Sequence, residues 1–302
     1  MNGFLVIDKP SGITSFDVVA RVRRACLAAR GPIAAGEKKL RVGHLGTLDP
    51  LATGVLVIAV GEASKLIEFL MGAEKVYDTQ IELGKMSDTY DKEGTIEVKE
   101  ESPDISREDL EGALLSFVGE IDQIPPAYSA IKVKGKRAYE LARKGEEVNL
   151  KSRKVMIHSI KVRGFQPPFV MLEIHCGSGT YIRSIAHDLG QKLGVGGLMT
   201  ELRRSRVGDF HLDQAIQLKE DEAPDYSSHF ISLEKVVEDW PAMQLADKQI
   251  QLIRNGQRIF RPPAFITPDS KMPICGFYEG KLATLLEEDG RFMKVVKNFV
   301  VN

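Results

Sequence analysis

The hydrophobic pattern changes period repeatedly along the chain, and each change marks an element. GFLVIDKP (3–10) is apolar at most positions and stops at a Pro-Ser-Gly turn, which reads as a strand. Thr14 or Ser15 can then cap a helix through about Ala29, with Val18, Val19, Val22 and Ala25 on one face. VLVIAV (55–60) has the length of a buried strand, and a helix follows near Ala63–Leu70. VYDTQIELG (76–84) alternates as a strand does; SDTYDKEG (87–94) is a turn, and TIEVKE (95–100) is the expected partner of that strand. Ser106 caps a helix from about Arg107 to Phe117, whose acidic first turn suits the helix dipole. IPPAYSAIKVKGKRAYELARKGEEV (124–148) opens on a Pro-Pro break and ends in a short basic helix. KVMIHSIKVRGF (154–165) and FVMLEIHCG (169–177) read as a strand pair. GTYIRSIAHDLGQKLG (179–194) is an amphipathic helix, with Ile182, Ile185, Ala186 and Leu189 on its apolar face and Gly194 at its end.

Strands and helices interleave, yet short turns join many neighbouring strands. This predicts an α+β (mixed α/β) domain with much antiparallel pairing rather than a doubly wound parallel sheet. The stretch 29–41 reads as a Gly/Ala-rich, then basic, loop. Composition shifts over 213–239, which hold 8 acids and 2 bases, and KEDEAPDYSSH (219–229) reads as a linker. Beyond it comes a short helix within 246–259, and then strand, turn, strand, turn, strand over 274–300, with Glu-Gly and Asp-Gly as the turns. The expected domains are therefore 1–230 and a small β-rich module over 231–302.

Composition mostly excludes. No apolar run approaches the roughly 20 residues of a membrane span, and the amino terminus does not read as a signal peptide. Three distant cysteines, Cys26, Cys176 and Cys275, argue against a disulfide framework and against a CxxC zinc site. The six histidines show no HxxxH or HxH spacing, so no metal is expected. The expected setting is reduced and cytoplasmic. GxGxxG after the first strand, GxxxxGK[ST], GxSxG and HExxH are absent, which disfavours nicotinamide, nucleotide-hydrolysing and metalloprotease chemistry. The formal net charge is −1, but its distribution is uneven: Ile124–Arg163 carries 11 Lys/Arg against 3 Asp/Glu. Such a segment suits either a polyanion or plain solvent.

GHLGTLDPLATG (43–54) sets one carboxylate, Asp49, among glycines, threonines and a proline. Pro50 pushes Asp49 toward an extended conformation, and Thr47 and Thr53 can bond local backbone. Either the carboxylate holds an Asx turn or the turn presents the carboxylate. RVGHLGTLDPLATGVLVIAVG (41–61) resembles the signature of the TruB family of bacterial tRNA pseudouridine synthases. LVIDKPSGITSFDVV (5–19), YDTQIELGKMSDTYDKEG (77–94), the 124–148 segment, IHCGSGTYIRSIAHDLGQKLG (174–194) and LRRSRVGDF (202–210) resemble the family's other blocks, in order. The carboxy-terminal module resembles a PUA-like RNA-binding domain. Leu45 departs from the family pattern, which more often has a small or hydroxylated residue there.

The resemblance implies isomerisation of uridine-55 to pseudouridine in the T loop of tRNA, with no cofactor or metal. Asp49 resembles the family's catalytic aspartate. Arg183 resembles the arginine paired with it, which would keep a partly dry carboxylate charged and oriented. Tyr77, Tyr181 and Leu202 resemble residues that pack on or wall the uracil, Tyr77 also being a candidate base at C5. His44 resembles a histidine associated with flipping the base. Lys132, Lys134, Lys136, Arg137, Arg143 and Lys144 would line the RNA backbone in a basic insertion over about 124–152, and Arg203, Arg204 and Arg206 would add to this. Each residue also has an ordinary reading: ion pair, core side chain or solvated loop. Two further hypotheses share the scaffold, an RNA-folding chaperone without catalysis and a relative working in a guide-RNA particle. The presence of Asp49, Tyr77 and Arg183 disfavours the first, and the basic insertion disfavours the second. The expected partner is the tRNA T stem-loop, met by a monomer that needs no membrane, guide RNA or protein.

Overall fold

The computed structural model describes the chain except residues 32–38, 130, 134, 147, 219–224, 263–271 and 300–302, together with the side chains of 132 and 137. Most of the 29–41 loop, most of the acidic linker and Lys134 thus lie outside the described residues.

The main sheet runs, edge to edge, Ile216–Gln217, Gly3–Lys9, Thr53–Val60, Gly197–Val207, Lys75–Leu83, Phe169–Cys176, Arg153–Gln166 and Gly119–Gln123. Short strands Val42–His44 and Phe210–His211 attach beside it. Pairing along this order is antiparallel except where Gly197–Val207 lies beside Thr53–Val60 and Ile216–Gln217 beside Gly3–Lys9. The mixed, largely antiparallel sheet is the fold class expected from sequence.

Burial explains why the strands read so differently. Along Gly3–Lys9, Leu5 and Ile7 enter a core with helices Ser15–Arg30, Arg107–Leu115 and Ile182–Leu193 through Val18, Leu110 and Ile185. Phe4 and Val6 enter a second core on the other face, with Val55, Val57, Leu233, Val237 and Leu285. Strands covered on both faces are apolar almost throughout. Lys75–Leu83 instead alternates buried with more open positions, because one face meets the helices and the other stays partly open.

Three expectations need correction. The partner of Ile96–Val98 is the short strand Lys85–Ser87, while Lys75–Leu83 has both edges taken by Gly197–Val207 and Phe169–Cys176. Ile96 and Val98 are exposed, so their apolar character is not a core signal. Among the described strands of five residues or more, two escape the sequence pattern, Gly119–Gln123 and Gly197–Val207, the second because paired arginines interrupt its alternation. The segment near Ala63–Leu70 starts as a 3₁₀ turn, Gly61–Leu66, and becomes α-helical only at Ile67–Leu70.

Other boundaries agree closely. Thr14 caps the first helix in a capping box with Asp17. Ser106 caps Arg107–Leu115, and Gly194 ends Ile182–Leu193 in the left-handed conformation. The carboxy-terminal module is a five-stranded sheet of Ala242–Gln244, Ile274–Tyr278, Lys281–Asp289, Phe292–Asn298 and Ile259–Phe260, beside helix Asp247–Arg254. Its Leu282, Leu285 and Phe299 share a core with Phe4 and Val57, so the module is packed against the main sheet. Cys26, Cys176 and Cys275 are buried free thiols. No helix among the described residues is long and apolar enough to cross a membrane.

Helix Ile182–Leu193 lies unusually close to the sheet. A Cβ on Gly190 would sit 2.0 Å from the backbone nitrogen of Gly197. Gly190→Ala should therefore lift the helix and cost about 3 kcal/mol, as overpacking against unyielding backbone does. Urea unfolding of the variant and the wild type checks this.

Candidate active site

The loop 43–54 is held through its backbone, carbonyl by carbonyl. Arg204 donates to Gly46 O (3.0 Å), Thr47 O (3.4 Å) and Val55 O (2.8 Å). Ser15 Oγ donates to Leu48 O at 3.0 Å and accepts from Leu48 N at 2.8 Å. The Ala52 amide donates to Asp49 O (3.1 Å), and Ser11 Oγ to Leu51 O (3.0 Å). Pro50 O accepts from the Gly12 amide (2.9 Å) and from the buried Lys9 ammonium (3.1 Å). Gly54 has φ +97° and lies against the next strand, where a Cβ would meet Arg204 O at 2.2 Å. Every acceptor from Gly46 to Leu51 is thereby satisfied from outside the Asp49 side chain. Leu45, the departure from the family pattern, is buried in the second core and packs the loop onto the sheet.

The carboxylate faces a cation. Arg183 Nε lies 3.0 Å from Asp49 Oδ2, an ion pair whose N–H is not aligned for a directed hydrogen bond. Asp91 Oδ2 lies 3.2 Å from Arg183 Nη1, which also donates to Thr89 O at 3.0 Å, while Nη2 donates to Tyr128 O at 3.1 Å. Arg183 and Asp91 are buried, whereas the Asp49 side chain keeps 35% of its exposure. Burial at the base of a concave site pushes the Asp49 carboxyl above its ordinary range; Arg183 and Lys9 oppose this and Asp91 reinforces it.

Asp49 opens into a cavity of about 460 Å³, and Tyr77, Tyr181, Arg183 and Leu202 line the same space. Tyr77 stands directly across the strand pair from Arg204. Burial raises its phenol, with Arg204 opposing, so the ring is a neutral, flat wall at neutral pH. Tyr181 precedes helix Ile182–Leu193, and the buried Gln123 amide clamps its backbone, donating to Tyr181 O (3.0 Å) and accepting from Tyr181 N (2.8 Å). Arg153 lies over its ring, 4.8 Å from the centroid. Lys75, buried and lowered to about 8 by burial and then by Arg204, lines the cavity as well.

His44 is not among the cavity-lining residues; it ends the short strand Val42–His44, and burial followed by Arg204 keeps its imidazole neutral. Arg204 is corrected outright: at 1% exposure it cannot lie on an RNA backbone, and its donors serve the Asp49 loop. Arg203, on the opposite side of the strand, is partly open and pairs with Asp8 at 2.8 Å. Lys136, Arg143 and Lys144 are exposed. Lys132 and Arg137 pair as strand residues, their side chains lying outside the described ones. Asp91, Gln123, Lys9 and Lys75 were not singled out from sequence, and Ser15 was named only as an alternative helix cap, which Thr14 provides. That position and the Lys-Pro turn were the available signals for Ser15 and Lys9. Glu74, His158 and His175 also meet across three segments, unannounced by spacing. The Arg206 guanidinium lies 3.0 Å from His175 Nε2, so the place a cation would take already holds positive charge.

Two outcomes follow from this geometry. Arg204→Met should cost about 3 kcal/mol or more, because three carbonyls lose their donor; urea unfolding measures it. Asp49 is harder to ionise in the folded than in the unfolded chain, so its contribution favours folding below the unfolded pKa and is lost as pH rises through the folded one. The stability of Asp49→Asn relative to wild type should therefore be higher at pH 8 than at pH 4, read from urea midpoints at both.

The TruB family pseudouridylate synthase N-terminal domain matches residues 34–182, and the tRNA pseudouridylate synthase B C-terminal domain matches 183–237. A tRNA pseudouridine synthase B of Clostridium acetobutylicum is 41% identical over 259 residues, 86% of each chain. One from Dehalococcoides mccartyi is 43% identical over 263 residues, 86% of this chain and 84% of its own. Among solved structures, a chain of a Cbf5-Nop10-Gar1 complex superposes with a TM-score of 0.70 at 26% identity, over 99% of this chain and 85% of that one. A chain of an H/ACA RNP bound to a substrate RNA containing 2'-deoxyuridine gives 0.69 at 25% identity, over the same shares. Matched without a break from residue 34 to 237 and with relatives at this identity over most of its length, the chain belongs to the TruB family of pseudouridylate synthases.

Proposed function

We propose that this protein converts uridine to pseudouridine at position 55 in the T loop of tRNA, with Asp49 as the catalytic carboxylate. The observation that carries the assignment to Asp49 is its pairing with Arg183 at 3.0 Å in a cavity walled by Tyr77, Tyr181 and Leu202. The volume of about 460 Å³ suits one extruded nucleotide rather than a helix. In the reaction the C1′–N1 bond breaks, the uracil turns, C1′ bonds to C5, and the C5 proton leaves while N1 gains one. Attack on the ribose and proton removal after cleavage both require Asp49 ionised. Arg183 supplies the opposing charge, and the two tyrosines and Leu202 hold the freed base. Tyr77, neutral by burial, serves as a platform rather than as a ready base. His44, two residues before the cavity-lining Gly46, is the candidate for meeting the helix the nucleotide leaves.

The partner is the T stem-loop alone. Lys136, Arg143 and Lys144 offer exposed cations within the chain's own insertion, and the cavity adds Lys75 and Arg153. Such contacts give affinity without reading sequence, which leaves specificity to the shape of the loop. A monomer in the cytoplasm, where tRNA is modified, acts without guide RNA.

Tritium release from an unmodified T stem-loop labelled at uracil C5 tests the reading. Wild type should release it without a guide RNA, and Asp49→Asn should not. Release by Asp49→Asn would remove that residue from the chemistry; none by wild type would remove the function. The acid limb of kcat/KM should lie above the ordinary carboxylate range, because burial raises the Asp49 carboxyl. Arg183→Gln should move it higher still. Changing Lys136, Arg143 and Lys144 together to Glu should weaken RNA binding at low salt and flatten its salt dependence, as filter binding would show.

A further inference from the structure

We propose that Tyr90 and His187 form a stacked clamp that positions Arg183 against Asp49, from outside the cavity. This rests on the reading of the cavity as the pseudouridine-forming site. Neither residue lines the cavity, and neither was singled out from sequence.

The Tyr90 ring lies flat on the His187 imidazole, with centroids 3.9 Å apart and planes 13° apart. His187 follows Arg183 by four residues on helix Ile182–Leu193, so the two side chains leave the same face one turn apart. Tyr90 sits between the two residues of its turn that grip Arg183. Thr89 O accepts from Arg183 Nη1 at 3.0 Å, and Asp91 Oδ2 lies 3.2 Å from the same nitrogen. The helix thus meets this turn twice, through the guanidinium and through the ring stack.

The backbone of Tyr90 shows what the stack works against. Its φ is +65°, in the left-handed region that a bulky side chain avoids. Such a conformation persists where the surroundings over-determine it. Here the surroundings are specific. Met199 N donates to Tyr90 O at 3.0 Å, Lys92 N donates to Met199 O at 3.1 Å, and Asp91 bridges Met199. The turn is therefore fastened to strand Gly197–Val207 by its backbone and to the helix by its ring. The left-handed residue reverses the chain within one step, which lets Thr89 O and Asp91 Oδ2 converge on one nitrogen.

Both rings are neutral. Burial holds the His187 imidazole below its ordinary range, and burial and then Asp188 hold the Tyr90 phenol above its own. The contact is a dispersion and packing contact between flat faces, without a charge to compete for Arg183. Without the stack, the turn can relax toward an ordinary backbone, and Arg183 follows its acceptors away from Asp49. Tyr90 and His187 are positioning residues, since they reach the reacting atoms only through Arg183.

Single-turnover tritium release at saturating T stem-loop tests this, alongside RNA affinity, thermal unfolding and the ¹³C-carboxyl titration of Asp49 without substrate. Tyr90→Ala should slow release about tenfold while leaving RNA affinity within about twofold. Tyr90→Phe should restore the wild-type rate. His187→Ala should resemble Tyr90→Ala, and the double variant should be no slower than either, because both remove one contact. In both alanine variants Asp49 should titrate at higher pH than in wild type, and in Tyr90→Phe at the same pH. Asp49 feels Arg183, Asp91 and Lys9; Arg183 and Asp91 both move with the turn, and the loss of Arg183, the larger of the two influences, sets the direction. Should Tyr90→Ala not fold, His187→Ala decides alone. Folded alanine variants with wild-type rate and an unmoved Asp49 titration would overturn the proposal, whatever their thermal stability. A shifted titration with no release by wild type would overturn the function and leave the clamp standing.

Discussion

The buried guanidinium of Arg183 is the interaction on which the site depends. A cation removed from water must be matched by acceptors, and Arg183 meets the two carboxylates Asp49 and Asp91 and the two carbonyls of Thr89 and Tyr128. These four groups come from three segments far apart in the chain, and the arginine comes from a fourth. Two nearby carboxylates around one guanidinium leave an excess of negative charge, and burial adds to the cost of ionising Asp49. The site therefore holds a carboxylate whose ionisation its own surroundings oppose. An isolated, fully solvated aspartate would be easier to ionise.

Holding Asp49 against Arg183 requires a rigid mount. In the 43–54 loop the carbonyls bond to Arg204, Lys9, Ser15, Ser11, the Gly12 amide and the Ala52 amide. The loop does not rely on the Asp49 side chain to keep its shape, which frees the carboxylate for Arg183 and for the cavity. This settles the choice left open by Leu-Asp-Pro in the sequence: the turn is held from outside and presents the acid. It also moves Arg204 from the surface into the core. Cross-strand from Tyr77 and against Gly54, its guanidinium joins the wall of the cavity to the loop in its floor.

The sheet places these parts. Strands Gly3–Lys9 and Thr53–Val60 are covered on both faces, by helices on one side and by residues of the carboxy-terminal module on the other. Lys9 and the Asp49 loop lie at the ends of these rigid strands. The carboxy-terminal sheet contributes to the core beneath that mount through Leu285 and Phe299, so its packing supports the loop from the face opposite the cavity.

Much was legible in the residues themselves. Local signals with a mechanism held: the Thr14 and Ser106 caps, Gly194 after its helix, the two Gly turns near the end, the alternation of Lys75–Leu83. Five residues of the site, Asp49, Tyr77, Tyr181, Arg183 and Leu202, stood in recognisable blocks, and the fold brings them around one cavity. What failed depended on distant partners. TIEVKE looked like the mate of 76–84, because pattern gives a strand its face but not its neighbour. Gly197–Val207 was missed because an arginine in its core face reads as polar until its acceptors are known. Asp91, Gln123 and the Tyr90–His187 stack matter through contacts across long loops, which periodicity does not encode. The sequence by itself determined the local elements and the residue types available for chemistry, since caps, turns and amphipathic faces are set by near neighbours. Tertiary structure decided which charges are buried together, because desolvation and pairing belong to the packed interior and not to any one segment.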